Sequence, residues 1–462
     1  MNHISPLFIL AVFLMPFCLE AQPIVDQYIH QALESNIALQ RKELSYAKSL
    51  EALKEAKATF LPSLSLNARY SVARGGRAFE IPVGDLMNPV YSNLNLINGL
   101  NQATTPDYPT IPDYPQIEND EINFLRETEQ ETNLRLVWPV LNTVILNNQK
   151  IRAKLSEAEK LSVGIYKREL IKEVKSAYYN YGKAKAGVAL FENTMGLVTE
   201  NVRTANSLFE NHKVTKDAVY AAEAQLKSVE QELAIAQKNE KVAAAYFNFL
   251  LNRDYTESIE TFPIEHQPIS ALSLDEARKQ AFRSREEFQQ LNYFVAASQD
   301  QIKMNKEALL PNLNLVVDYG IQGTNYSINK DSDFAMGSLV MSWDLVDFKR
   351  KHKVQQAQIA REEVSKQKEE TIQQIGLQVV SAFYEMEASR KSIEAAGAEV
   401  QSARQAFRLV DKKYRQSQAN QVEFVDARTR LTNAEQNLII TQYDYQIQIA
   451  EYERVIGTYE LN

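Results

Sequence analysis

The stretch FLPSLSLNARYS, Phe60–Ser71, decides the fold, because it alternates strictly in a chain that otherwise has the composition of long helices. One face of the predicted strand carries apolar or aromatic side chains, and the other carries serine, asparagine and arginine. The residues of the apolar face are Leu64, Leu66, Ala68 and Tyr70. Pro62 disfavours a helical conformation at Leu61 before it. A strand packed on a water-soluble core would alternate in the same way, so one copy leaves its surroundings open.

The same pattern returns in the second half of the chain. LLPNLNLVVDYG, Leu309–Gly320, alternates likewise, and its Pro311 lies 249 positions after Pro62. Further alternating runs surround the two tryptophans, LRLVWPV at Trp138 and LVMSWDL at Trp343, which are 205 positions apart. Such recurrence predicts an internal repeat with a pair of strands in each half and four strands in all.

The two spacings, 249 and 205 positions, make the first half 44 residues longer than the second. We expect residues 22–273 and 274–462 to be the two structural repeats, with an equatorial link before position 274. The excess predicts a long external loop at 79–126, which contains PDYP twice within an acidic, proline-rich run. Its turn-forming composition is typical of an exposed loop, either a passive one or a lid or receptor.

Long helices are predicted over residues 148–211 and 351–417, which lack proline and are rich in Ala, Lys, Glu and Leu. At 1.5 Å per residue each would be about 100 Å long. Returning helices follow, in which core positions recur at alternate spacings of three and four from Val219 to Leu250 and from Phe424 to Val455. A single helix is expected over 274–309. The predicted fold class is mainly α with a small β part, built on long coiled-coil helical hairpins in a two-fold internal repeat.

The composition argues against several classes of protein. The net charge of the 462 residues is -8 and no basic stripe is present, which argues against nucleic-acid binding. None of the five histidines forms a pair at metal-binding spacing, and no Gly-rich phosphate loop or Ser/His/Asp arrangement stands out. We therefore expect no catalytic residue, cofactor or metal ion.

Residues 1–21 have the form of a secretory signal peptide, with an apolar core and cleavage after Ala21, although lysine and arginine are missing from its start. An ordinary buried helix start is the alternative. Cys18 is the only cysteine and would be a lipid anchor if cleavage occurred before it, but the bulky Phe17 precedes it. Cleavage after Ala21 would leave a chain without thiols, which excludes disulfides and thiolate metal sites.

Four amphipathic strands in one chain cannot close a membrane barrel, because the smallest known barrels have eight strands. An open edge would leave backbone donors and acceptors in lipid without hydrogen-bond partners. Either several chains share a barrel or the strands lie in water. Two chains would give a barrel filled by side chains, whereas three would give twelve strands and room for a pore.

The doubled plan, the Leu-Pro entries to the strands, the segments WPVLN and WDLVD, and the stretch YRQSQANQVEFVDARTRLTNAEQNL together resemble the TolC-type outer-membrane channel-tunnel family, the outer membrane efflux proteins. The order and spacing of these segments carry the resemblance. It implies a homotrimer that shares a 12-stranded β-barrel in the outer membrane of a Gram-negative bacterium, with a helical barrel in the periplasm. It also implies two partners, a periplasmic adaptor (membrane fusion) protein and an inner-membrane transporter, and a passive conduit rather than an enzyme.

The resemblance assigns the closing and docking of this tunnel to the tips of the helical hairpins. The tip residues are His212, Lys213, Val214, Ser417, Gln418 and Ala419. The glycine usual at each turn is replaced by His212 and Ser417, which puts the conformation of the tips in doubt.

An acidic selectivity pair is implied at Glu423 and Asp426, whose spacing of three puts both carboxylates on one helical face. Three chains would surround one aperture with six carboxylates and attract cations. A solvated coiled-coil flank is the alternative. Tyr414 matches a tyrosine that holds the family's tip closed, but the arginine position carries Ala419, so that contact is either missing or remade by Arg415.

Trp138 and Trp343 mark either a membrane-interface girdle or plain packing where strands meet helices. The Leu and Tyr face of the strands is expected to meet lipid, with Arg69 directed to the lumen. A structural or adhesive coiled-coil surface protein, with its strands paired in water, is the competing interpretation. The sequence does not identify the cargo, which the pump selects.

Overall fold

The computed structural model describes residues 24–262, 264, 272–326, 329 and 331–459. The helices are α1 Ile24–Ser35, α2 Ile37–Ala58, α3 Val83–Thr104, α4 Thr143–Glu210, α5 Lys216–Leu250, α6 Leu274–Ser284, α7 Glu286–Glu307, α8 Phe348–Arg415 and α9 Gln421–Ile456. The strands are β1 Ser63–Val72, β2 Ala78–Ile81, β3 Asp120–Asn123, β4 Thr128–Leu141, β5 Asn312–Gly323 and β6 Asp333–Ser342. The predicted signal peptide, Cys18 and much of the expected equatorial link lie outside the described residues.

The four predicted strands form one antiparallel sheet in the order β1-β4-β5-β6. Its register brings like side chains together, because directly opposed residues point to the same face. Leu66 opposes Leu134, which in turn opposes Tyr319. On the other face Arg135 opposes Asp318. The alternation predicted from the sequence is confirmed, and it gives the sheet one apolar and one polar face.

The prediction of four strands in all is wrong, and the segment 79–126, predicted as a long external loop, contains regular structure. Strands β2 and β3 form a separate two-stranded sheet, and the 22-residue helix α3 lies between them. The turn-forming residues concentrate in 105–119, which has no regular structure, whereas Val83–Thr104 carries apolar residues at helical spacing. Pro89 is accommodated inside the helix.

The long helices of 68 residues each and their returning partners are confirmed. The single helix expected over 274–309 is wrong, because the chain becomes extended at Arg285 between α6 and α7. The side chain of Arg285 is buried there and bonds to Glu287 and, at 2.8 Å, to Gln378. At the matching place in the first half, Asn36 separates α1 from α2 and donates to the Leu250 carbonyl oxygen at 2.9 Å.

The chain divides into two compact units. The larger consists of Met1–Leu53, Lys150–Ile302 and Gln355–Asn462, and the smaller of Lys54–Gln149 and Lys303–Val354. Each unit draws on both halves of the sequence, so the boundary of the two repeats at position 273 stays a prediction. Among the described residues no helix has the length and apolarity needed to span a membrane.

The cores of the larger unit repeat as well as its helices. One cluster lies between α1, α4 and α5, and another between α6, α8 and α9. Three buried pairs match at the spacings found in the sequence, and they are Ala32 with Ala281, Val174 with Val379, and Leu250 with Val455. The two-fold repeat is therefore a repeat of packing positions.

Candidate functional site

The two hairpin tips have the backbone conformation that glycine usually supplies. After α4 and α8, His212 has φ 54° and Ser417 has φ 58°, both in the left-handed region. The Lys213 amide donates to the Leu208 carbonyl oxygen at 2.8 Å. Together with the bond from the amide of His212 to the Phe209 carbonyl oxygen at 2.9 Å, this forms a Schellman motif.

The second tip repeats these bonds from Gln418 to Lys413, at 2.8 Å, and from Ser417 to Tyr414, at 2.9 Å. The doubt that the sequence raised about the tips is resolved, since the turns are kept without glycine. The left-handed conformation costs a non-glycine residue about 1–2 kcal/mol, so each tip stores some strain.

The two tips differ in how the next helix begins. Asn420 caps α9 by accepting from the Glu423 amide at 2.8 Å, while Thr215 at the matching place before α5 makes no side-chain cap. The residues expected to dock an adaptor are accessible in both turns. His212, Lys213, Ser417 and Gln418 are exposed, and Val214 and Ala419 are half-buried.

Glu423 and Asp426 are both exposed and lie one turn apart on α9. Asp426 is paired with Arg430, one turn further along, at 3.0 Å. The pair is exposed and therefore weak, but it offsets part of the negative charge that the acidic pair contributes. Arg430 was not among the residues predicted from the sequence, although its spacing of four from Asp426 is the signal for such a pair.

Tyr414 is buried, and its ring lies 4.9 Å from that of Phe424 on α9. Its hydroxyl has no hydrogen-bond partner among the described residues, and burial raises its pKa. Arg415 does not reach it, because its guanidinium Nε contacts the Asp411 carboxylate at 3.1 Å. The structure thus places Tyr414 in an aromatic contact between α8 and α9 rather than in a polar one.

Arg428 is a buried cation near the second tip that was not predicted as a site residue. Its Nη2 donates to Thr194 Oγ1 on α4 at 2.9 Å, and its guanidinium carbon lies 5.4 Å from the centre of the Phe407 ring. Its Nε has no partner among the described residues, and burial lowers its pKa. Seven positions before it, Gln421 is also buried without a side-chain partner. The two residues lie seven positions apart and therefore share one side of α9, beside the seam residues Phe424 and Leu431.

The polar face of the four-stranded sheet holds an ordered row of charges. Arg69 pairs with Glu131 at 3.1 Å, and Arg135 donates hydrogen bonds to both carboxylate oxygens of Asp318 at 2.7 and 3.1 Å. Such bidentate pairs are geometrically specific. The apolar face is exposed in the single chain, with Leu66 at 69%, Tyr319 at 59% and Leu339 at 64%. One chain therefore presents apolar side chains that soluble proteins normally cover.

The two tryptophans make the same bond in the two halves. Trp138 Nε1 donates to the Phe60 carbonyl oxygen at 3.1 Å, and Trp343 Nε1 to that of Leu309 at 2.9 Å. Each indole thereby holds the chain where it enters the strand pair of its own half. Both rings are about half exposed.

Comparison with known proteins identifies relatives over nearly the whole chain. Residues 277–458 match the family model of the outer membrane efflux proteins. Outer membrane protein TolC of Escherichia coli (strain K12) is 23% identical over 450 residues, which cover 94% of this chain and 82% of that protein. The corresponding protein of Salmonella enteritidis is 21% identical over 443 residues, covering 94% and 81%.

Solved structures share the fold. The CmeC outer membrane channel of Campylobacter jejuni superimposes with a TM-score of 0.75 at 14% identity, covering 94% of this chain and 85% of that one. The open state of the MtrE outer membrane channel of Neisseria gonorrhoeae gives 0.70 at 16%, covering 94% and 89%. The outer-membrane channel OprN gives 0.74 at 15%, covering 94% and 90%.

Proposed function

We propose that this chain is a member of the TolC-type outer membrane efflux proteins and that it is the outer-membrane channel of a tripartite efflux or type I secretion system. Three copies form a passive conduit across the periplasm and the outer membrane of a Gram-negative bacterium. Solved structures with this fold are described as outer-membrane channels, which supports a role without catalysis.

The observation that carries the proposal is the open, two-faced sheet. Its order, β1-β4-β5-β6, leaves one unpaired edge on β1 and one on β6 among the described residues. An apolar face suits lipid, but an open edge in lipid leaves backbone donors and acceptors without partners at a cost of several kcal/mol each. Other copies of the chain satisfy both conditions by pairing β6 of one with β1 of the next.

The same geometry supports the expected orientation of the strands. In a twelve-stranded barrel made by three copies, the Leu and Tyr face meets lipid and the polar face lines the lumen. Arg69 and Arg135 then lie in the pore with Glu131 and Asp318. Each of these cations is matched by a carboxylate, which favours a wide aqueous passage without strong charge selection at this level. Trp138 and Trp343 mark the membrane interface in this arrangement.

The hairpin tips serve as the periplasmic end of the conduit, where they dock the adaptor protein that connects the channel to an inner-membrane transporter. Exposed turns with fixed backbones suit a docking role, because little ordering is lost on binding. Glu423 and Asp426 of three copies form the selectivity aperture, with Arg430 reducing its charge. Tyr414 stabilises the closed tip by packing on Phe424.

The proposal is tested by inserting the detergent-purified protein into planar bilayers and adding a trivalent cation on the side of the hairpin tips. The double variant Glu423→Ala, Asp426→Ala should conduct but require at least about tenfold more cation for half block, since the ring loses its carboxylates. Arg430→Ala is the matched control and should be blocked more easily than the wild type. Conductance that is never observed, with protein soluble without detergent, would favour the adhesive coiled-coil interpretation and refute the channel.

A further inference from the structure

Helix α3, in the insertion between β1 and β4, carries an apolar stripe that is largely exposed in the part of the chain that the structure describes. Labelling the heptad from Val83 as position a gives β-branched residues at every a position and leucine at two of the three d positions. The a positions are Val83, Val90 and Ile97, the d positions are Leu86, Asn93 and Leu100, and the apolar e positions are Met87 and Leu94. Leu86 is 68% exposed, Ile97 51% and Leu100 56%.

The orientation of α3 is fixed by its other side, which is polar. Asn88 donates to the Ile117 carbonyl oxygen at 2.8 Å and accepts from the Ile117 amide at 2.9 Å. Asn95 makes the same two bonds with Tyr114, at 3.0 and 2.8 Å. A Cβ added at Gly84 would lie 2.6 Å from the Ile117 carbonyl oxygen, so the covering segment lies directly on the helix. The chain thus turns the asparagines of α3 inward and its apolar stripe outward.

The composition of α3 indicates whether a membrane surface or another helix covers the apolar stripe. Helices that lie on membranes carry lysine and arginine on their polar face and favour anionic headgroups. Among its 22 residues α3 has no lysine or arginine, and Asp85 is its single charged residue. Heptad spacing, by contrast, is the pattern by which helices pack on other helices, and an apolar face that includes e as well as a and d positions is typical of a bundle.

The position of α3 next to an edge strand of the sheet indicates which partner covers the stripe. The insertion follows β1, which is an edge strand of the four-stranded sheet. In the proposed channel that edge pairs with another copy of the chain, so the α3 helices of neighbouring copies are held near one another. We propose that they pack through the stripe, as a helical bundle at the external mouth of the barrel. Asn93, a polar residue within the seam, fixes the register of the bundle at some cost in stability. The inference rests on the proposed trimeric channel.

Disulfide cross-linking tests this contact in the assembled, detergent-purified protein. In a Cys18→Ser background, Val90→Cys and Ile97→Cys are oxidised and run on non-reducing gels, with Ser92→Cys as the matched control. Ser92 is also exposed, but it occupies a c position and has no residue of the stripe three or four positions away. The first two variants should give reducible covalent dimers in most molecules, and the control should give at least about tenfold less, because its thiols face away from the seam.

The same preparations separate failure of the inference from failure of the proposed function. Their mass in detergent and their conductance in bilayers report the channel independently of the cross-link. If preparations contain three chains and conduct but form no covalent dimers at positions 90 and 97, the α3 contact is overturned and the proposed channel stands. Single chains without conductance would overturn both. A fluorophore on Val90→Cys quenched by brominated lipid in phosphatidylethanolamine and phosphatidylglycerol vesicles would assign the stripe to the membrane, and would also overturn the contact.

Discussion

Replacing Ser417 by glycine should stabilise the second hairpin tip. Ser417 has φ 58°, a conformation that costs a residue with a Cβ about 1–2 kcal/mol. Glycine avoids this cost but loses about 0.5–1 kcal/mol through the greater freedom of its unfolded chain. The expected net gain is about 0.5–1 kcal/mol in the free energy of opening the tip, since the bonds of the turn are made by the backbone.

Hydrogen exchange is the suitable assay, because so small a gain barely moves the unfolding temperature of a long chain. The Gln418 amide, which donates to the Lys413 carbonyl oxygen at 2.8 Å, reports opening directly. Ser417→Gly should slow its exchange about two- to fivefold. Ser417→Ala keeps the Cβ and should not slow it. Equal or faster exchange in the glycine variant would refute the assignment of strain to this turn.

Three further predictions concern groups elsewhere in the chain. Arg428→Met should leave stability unchanged or raise it by about 1–3 kcal/mol, since it removes a buried charge that makes no ion pair among the described residues. A marked loss of stability in thermal unfolding would contradict this. Gly320→Ala should prevent assembly, because the added Cβ would lie 2.2 Å from a main-chain oxygen of β4. Gly337→Ala on β6 has open space around its Cβ and should assemble normally. Native mass in detergent measures both outcomes. Burial acts to raise the pKa of Glu287, but the hydrogen bond and charge of Arg285 outweigh it and hold that pKa below its ordinary value. The stability that this carboxylate contributes is therefore present above about pH 4.3 and is lost as the pH falls through the lowered pKa. The free energy of unfolding of the wild type should therefore fall more steeply with decreasing pH below that value than that of Glu287→Gln, which lacks this component; equal slopes would contradict the assignment.

The strands were predictable because alternation and the repeat supported one another. Phe60–Ser71 alone had two explanations, and its counterpart at Leu309–Gly320 made a shared barrel the better one. The polar row on the sheet followed from the same alternation, but its partners depended on register. Nothing in a single strand indicates that Arg135 opposes Asp318 rather than a neighbour two residues away.

The breaks and the extra helix were not predictable in the same way. The helix interruption at Arg285 is stabilised by a buried contact with Gln378, far away in the sequence, so the local pattern simply continues through it. Helix α3 was hidden because the proline-rich segment beside it dominated the composition of 79–126. At the tips, the sequence correctly raised the question of the missing glycines, but only the backbone geometry of His212 and Ser417 answers it.

The central claim is that this four-stranded sheet is closed only by other copies of the chain, and the mass of the detergent-solubilised protein tests it most directly. Native mass spectrometry should find three chains in a single species that dissociates only when the detergent-bound sheet unfolds. A monodisperse single chain, stable in buffer without detergent, would contradict the account.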